Sequence, residues 1–290
     1  MPNPTNSLDR SHQLDLLFKF AFWLFVGSIT FSAIGLLLLK LAPVLTMQYF
    51  GTIFIKLVKT PTWTFMTLLP ILSLLMYGPS LGKWRMGFFF FWGCLIGGLS
   101  EWIGTTGVLD VGGLALPFGA YEYTGLLGAK FDGHVPYFIP PSWFAMSIVS
   151  LDLARRLNVG RWGRILAGTL FMVLWDVSLD PAMTSGQFQF WSYDAGGFFY
   201  GMPFSNWIGW FGVTLIIIIG YEYIGKGLVE NHDWAPWVYI LNCLFPLILS
   251  FFSGLYGAVV VGILATAVPF IAIWARRRTA DEPFLAPAQA

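Results

Sequence analysis

Two aspartates, Asp176 and Asp180, stand in the run WDVSLDP, which closes an apolar stretch that begins near Ile165 and holds no other charge. A spacing of four residues puts both carboxyls on one face of a helix, about one turn apart. Glu101 holds the matching place at the end of another apolar stretch. Pro181 disfavours helical geometry at Asp180, so the helix is expected to end there, with Asp180 at the negative end of its dipole. Burial and the dipole both disfavour the anion. Such acids keep a proton near neutrality and are usable proton donors. Carboxyls within a membrane are functional by default; the plainer role for Asp176 is a hydrogen bond tying two helices together.

The elements that must position these acids are membrane spans. Of 290 residues 57% are hydrophobic, 18% aromatic and 11% charged, against about 25% charged in a soluble domain. Mean hydropathy is +0.69. A single core cannot hide that much apolar surface, so the remainder faces lipid. The fold class expected is all-α: a polytopic membrane bundle of about eight spans, near residues 16–39, 62–78, 84–103, 135–154, 162–180, 204–224, 235–251 and 254–275. The run from Leu16 to Leu39 is too long for a signal-peptide core and reads as the first span. Residues 41–60, with Pro43, Lys56 and Lys59 among apolar neighbours, read as an interfacial segment. The whole chain, 1–290, reads as one membrane domain with a core at 98–212 and a polar tail at 276–290.

Orientation follows from Lys and Arg. With the N-terminus cytoplasmic, one side receives Arg10, Lys19, Lys83, Arg85, Arg155, Arg156, Arg161, Arg164, Lys226 and Arg276 to Arg278, twelve of the sixteen basic residues. The other side holds Glu101, Asp110, Glu122, Asp132, Asp176, Asp180 and Asp194. Chemistry is therefore expected on the acidic side. Asp110, Glu122 and Asp132 read as solvated loop charges. Asp152 with Arg155 and Arg156, and Glu222 with Lys226, read as interfacial ion pairs.

Two long segments, 101–143 and 181–210, join spans on that acidic side and are dense in Gly, Pro and aromatics. Aromatic surface is unfavourable to hydrate, so these loops either dip into the interface as an aromatic belt or close over an apolar ligand. Net charge is +1, which gives no basic excess for nucleic acid. Cys94 and Cys243 read as buried small hydrophobes. His12, His134 and His232 are too few and too scattered for a di-iron oxygenase. Neither a dinucleotide fingerprint nor a Walker loop occurs. An enzyme built this way works with acid, base and water, and no cofactor or metal is expected.

Four blocks, LPFGAYEYTGLLG, VPYFIPPSW, WDVSLDPAM and FFYGMPFSNWIGW, together resemble those of the membrane carotenoid-biosynthesis family that contains the bacterial and cyanobacterial carotenoid 1′,2′-hydratases. The likeness covers residues 98–212. It implies addition of water across the terminal double bond of an acyclic ψ end group, on a γ-carotene-like or lycopene-like substrate. It also implies a bacterial plasma or thylakoid membrane, with lipid and other carotenoid-pathway enzymes as neighbours. Protonating a trisubstituted alkene leaves a tertiary cation, so the chemistry needs a desolvated acid and a cage for positive charge. Asp176, Asp180 or Glu101 supplies the acid, and a second, ionised carboxylate attracts the cation and takes a proton from water. Tyr121, Tyr123, Trp143, Trp175, Trp191 and Trp210 are the expected substrate contacts, with cation–π attraction of about 2 kcal/mol each when dry. Asn206 is expected to hold the water. The polyene reaches this pocket laterally from the bilayer.

Two other classes share these features. A membrane prenyltransferase also pairs aspartates, to hold Mg²⁺ and a diphosphate, and wants Lys or Arg nearby. A carotenoid- or lipid-binding or transport protein uses the same aromatic groove and buried acids.

Overall fold

The computed structural model describes residues 4–57, 60–112, 114–186, 188–194 and 196–281. Among them the chain forms α1 (Pro4–Leu41), α2 (Pro43–Leu57), α3 (Thr60–Thr106), α4 (Ile139–Arg155), α5 (Arg161–Thr184), α6 (Phe204–Tyr223), α7 (Ala235–Phe252) and α8 (Tyr256–Asp281). Three two-stranded ribbons decorate one end of this bundle: β1 (Asp110–Val111) with β2 (Leu114–Ala115), β3 (Tyr121–Tyr123) with β6 (Trp191–Tyr193), and β4 (Lys130–Phe131) with β5 (Val135–Pro136). Six helices are long and apolar enough to cross a membrane, α3 counted once.

α3 is two spans, not one. Straight, its 47 residues would extend about 70 Å. Yet Trp63 near its start donates to Leu126 O at 3.2 Å, and Glu101 near its end accepts from Tyr123 at 2.7 Å. Both ends thus meet the same loop. The chain turns back at Gly82, whose φ of 74° and ψ of 165° suit a residue without Cβ. The two arms, 60–81 and 83–106, correspond to the spans expected at 62–78 and 84–103.

α4 lies at the centre. Every residue from Ser142 to Ala154 is buried, as befits a helix apolar on all sides, and it packs on α3, α5, α6, α7 and α8. It begins at Ile139 rather than at the expected residue 135, because Val135 and Pro136 pair with Lys130 and Phe131. Close packing with α3 needs Gly97, where an added Cβ would lie 2.4 Å from Trp143 Cγ. The segment expected at the interface is helical as α2, with Val44, Leu45, Tyr49 and Phe50 exposed; Lys59 lies outside the described residues. α8 carries the expected polar tail as helix to Asp281, and residues 282–290 lie outside the described residues.

Basic residues gather at the end opposite the ribbons, where they satisfy chain ends and carboxylates. Arg85 donates to the carbonyls of Gly225 (3.0 Å) and Gly227, and Arg155 to those of Leu228 and Val229 (3.3 Å) and to Asn231. Buried Asp152 accepts from Arg156 Nε at 3.0 Å, Tyr77 Oη at 3.1 Å and His232 N at 2.7 Å. Arg155 is thus not its partner. Nor does Glu222 pair with Lys226. α6 ends at Tyr223, so no helical turn joins them, and Lys226 has a φ of 61°. Glu222 instead takes both prongs of Arg164, at 3.0 and 2.7 Å, with Arg161 at 3.7 Å.

Glu222 is 3% exposed, so removing its fork should strand a buried charge. Arg164→Ala is expected to destabilise the purified protein by about 3 kcal/mol. Adding Glu222→Gln should recover part of that in the same thermal-unfolding measurement in detergent. Equal midpoints for Arg164→Ala and wild type would show that Glu222 does not depend on this pair.

Candidate functional site

The second arm of α3 brings Glu101 to the ribbon-bearing end, 4% exposed. Its Oε2 accepts from the hydroxyls of Tyr123 (2.7 Å) and Tyr121, and its Oε1 from Trp143 Nε1 at 2.8 Å. Trp143 comes from the first turns of α4, and the tyrosines from β3. Three donors from two parts of the chain, β3 and α4, therefore converge on one carboxyl.

α5 presents Asp176 and Asp180 on one face, as their spacing requires, 0% and 1% exposed. Asn206, in the first turn of α6, bridges them: its Nδ2 lies 3.1 Å from Asp176 Oδ2 and 2.6 Å from Asp180 Oδ2. Tyr193 Oη is 3.4 Å from Asp180 Oδ2. Asp176 Oδ1 is buried and has no hydrogen-bond partner. Contrary to the sequence expectation, Pro181 does not end the helix. α5 runs on to Thr184, because the proline ring suits helical φ and the missing N–H costs one bond. Thr184 Oγ1 at 2.7 Å from Asp180 O ties the final turn. Asp180 thus sits one turn inside the helix rather than at its end.

The two aromatic loops meet in β3 and β6. Their antiparallel register sets Tyr121 opposite Tyr193 and Tyr123 opposite Trp191. Side chains alternate along a strand, so these four rings share the inward face while Glu122 is exposed on the other. Thr124 N to Phe190 O at 2.8 Å and Asp194 N to Ala120 O at 3.0 Å extend the ladder at both ends. Burial first, and the nearby Glu101 second, push the Tyr121 and Tyr123 hydroxyls well above the ordinary tyrosine value. Both therefore remain protonated donors.

Below the ribbon lies a cavity lined by Glu101, Asp180 and Asn206 and by Tyr121, Tyr123, Trp143, Trp175, Trp191 and Trp210. Nine of the ten residues singled out from sequence thus share one wall; Asp176 alone stands behind it. Trp143 stacks on Trp210 (4.1 Å, 22°), and Trp175 meets Trp210 edge-on at 5.6 Å. About 50 Å³ is open to water-sized molecules, room for a few waters at about 10–15 Å³ each. The lining contains no Lys, Arg or His. Lys130 turns to the carbonyl of Tyr123, and Arg164 lies twelve residues before Asp176, about 18 Å along α5.

Sequence reasoning missed several lining residues. Tyr193 had a signal, two residues from Trp191 in an alternating strand. Phe65 of the first α3 arm and Phe245 of α7, stacked at 4.5 Å, had none, since they stand in generic apolar spans. Asp110, Glu122, Asp132 and Asp194 stay exposed, apart from the cavity; Asp132 accepts from Trp102 Nε1 at 3.2 Å.

Substituting Gly97 tests the frame that holds Glu101. Gly97→Ala must displace Trp143, and overpacking of this kind costs about 1–3 kcal/mol. The expected result is a lower thermal midpoint with an altered near-ultraviolet tryptophan dichroism. Gly87→Ala, where an added Cβ meets nothing within 4 Å, should change neither. Identical spectra for all three proteins would contradict this packing.

Residues 60–269 match the model of a family described as carotenoid biosynthesis protein. The match takes in the flanking spans as well as the four sequence blocks, and so reaches beyond residues 98–212. No curated protein and no solved structure matches the chain.

Proposed function

The chain belongs to the carotenoid biosynthesis protein family, and from that premise we propose that it hydrates the terminal double bond of an acyclic carotenoid end group. The product is a 1′-hydroxy carotenoid, and the enzyme is a hydro-lyase. One observation carries this reading. Carboxyl groups from two different helices, Glu101 and Asp180, face a single tryptophan-walled cavity with room for water.

Alkene hydration asks for such a place. One of the α5 aspartates gives a proton to C2′, and the π electrons form the new C–H bond, leaving a tertiary cation at C1′. A water oxygen bonds to C1′ and passes its extra proton to a second carboxylate. H⁺ and OH⁻ have been added and no electrons exchanged, so acid, base and water suffice. The faces of Trp143, Trp175 and Trp210 attract the passing cation, each by about 2 kcal/mol in a dry site. Their burial also limits how much water reaches it. The end group alone enters, past the apolar part of the lining with Phe65, Phe245 and the half-buried Met66 and Leu179, while the body of the polyene, far too long for this cavity, stays in the bilayer. A γ-carotene-like or lycopene-like substrate dissolved in a bacterial plasma or thylakoid membrane, among other pathway enzymes, suits that arrangement.

The decisive assay incubates membranes containing the protein with lycopene or γ-carotene in ¹⁸O-labelled water, without oxygen. The expected product is an alcohol carrying one labelled oxygen. Label arriving only from ¹⁸O₂ would make the protein an oxygenase. Unchanged pigment bound to folded protein would make it a binding or transport protein, and magnesium-dependent prenyl transfer would make it a transferase. Each of these results overturns the proposal.

A further inference from the structure

We infer that the three acids have separate tasks: Asp180 delivers the proton, Glu101 is the standing anion that receives water's proton, and Asp176 positions Asp180 from behind. This assignment rests on the hydration reading above and adds which carboxyl does what.

The surroundings of the acids differ in kind. Glu101 faces three hydrogen-bond donors, and one of them, Trp143 Nε1, can only donate. The other two are tyrosine hydroxyls that burial and the carboxylate itself keep protonated. Oε2 takes both tyrosines and Oε1 takes the indole. Donors aimed at both oxygens stabilise the charged form of a carboxyl. Glu101 also lines the cavity, so it meets whatever cation or water enters.

The α5 pair shares fewer and longer-range donors. Two carboxyl oxygens gather on one amide nitrogen, Asn206 Nδ2, at 3.1 and 2.6 Å, and Tyr193 Oη adds a contact to Asp180 Oδ2 at 3.4 Å. Both groups are buried, and no cationic side chain lines the cavity they adjoin. Two adjacent buried carboxylates repel, so the pair holds a proton between its members. Of the two, Asp180 lines the cavity and Asp176 does not. A proton can leave toward the substrate only from Asp180. Asp176 keeps one unpartnered oxygen, Oδ1, in the interior, and it acts on substrate only through its neighbour.

The resulting cycle balances. The Asp180 O–H bond breaks as the C2′–H bond forms from the π pair. Water's lone pair makes the C1′–O bond, and its O–H bond breaks toward Glu101. The proton then returns from Glu101 to Asp180 through water in the cavity, and both groups regain their starting states.

The test measures kcat and KM for hydration by wild type, Asp180→Asn, Asp180→Glu, Asp176→Asn and Glu101→Gln in membranes. The absorbance shift of bound polyene serves as the check on folding. Asp180→Asn and Glu101→Gln should each lose about 10³-fold in kcat with KM within about threefold of wild type. Asp176→Asn should lose about tenfold in kcat at unchanged KM, and Asp180→Glu should keep measurable turnover because it keeps a carboxyl at the cavity wall. The solvent deuterium isotope effect on kcat should persist in Asp176→Asn, since the proton still comes from Asp180. Should Asp180→Asn not bind polyene, the Asp180→Glu and Asp176→Asn results still decide the matter. An Asp176→Asn protein that binds polyene but is as inactive as Glu101→Gln overturns the assignment, as does a folded Asp180→Asn protein with kcat within tenfold of wild type. A wild-type protein that yields no labelled alcohol ends the hydration reading itself, which the wild-type arm alone reveals.

Discussion

Burying a carboxyl group without a cation is the constraint around which this molecule is arranged. Ionised groups lose their hydration in a low-dielectric interior, and the loss is large unless hydrogen bonds or opposite charge replace it. Glu101, Asp176 and Asp180 are each at most 4% exposed, and the cavity beside them is lined by no basic side chain. Hydrogen-bond donors must stand in for water, and they come from distant parts of the chain: Tyr121, Tyr123, Trp143 and Asn206. Satisfying these acids therefore fixes where α4, α6 and the β3–β6 ribbon sit. The same contacts that make the burial tolerable also wall the cavity.

The opposite end of the bundle meets the same constraint with charge. Asp152 and Glu222 are also buried, but Arg156 and Arg164 reach them directly. α5 shows the division within one helix: Arg161 and Arg164 at its start, Asp176 and Asp180 near its end. α3, α4 and α6 repeat it, with Arg85 and Glu101, Asp152 and Trp143, and Glu222 and Asn206 at their two ends. Paired charges at one end brace the helices. At the other end no cation lines the cavity, and its buried carboxyls rest on hydrogen-bond donors.

The ribbon closes this arrangement. A two-stranded pairing on its own is marginal in water. Here its inward face carries four aromatic rings, and three of their hydroxyls reach Glu101 or Asp180. Closure over the cavity and satisfaction of the acids are one set of contacts. It also buries Tyr121, Tyr123 and Trp191, rings that are unfavourable to hydrate.

Much of this was legible in the residues themselves. Hydropathy marked the spans, including the two arms of α3, since a bilayer demands long apolar runs and Gly82 with Pro79 interrupts one. The four-residue spacing placed Asp176 and Asp180 on one face, because that is a property of any helix. Local rules misled at two places. Pro181 looked like a terminator, yet the helix continues to Thr184. Glu222 looked like a partner for Lys226, yet it takes Arg164 from another helix. Sequence singled out Glu101, Trp143 and Asn206 but could not say what each touches. Their contacts join residues 42 and 26 positions apart, Trp143 with Glu101 and Asn206 with Asp180. Periodicity reports only on neighbours within a turn or two. Which acid would face the cavity and which would stand behind it was decided by tertiary packing, because that depends on how α5 turns against α6 and the ribbon.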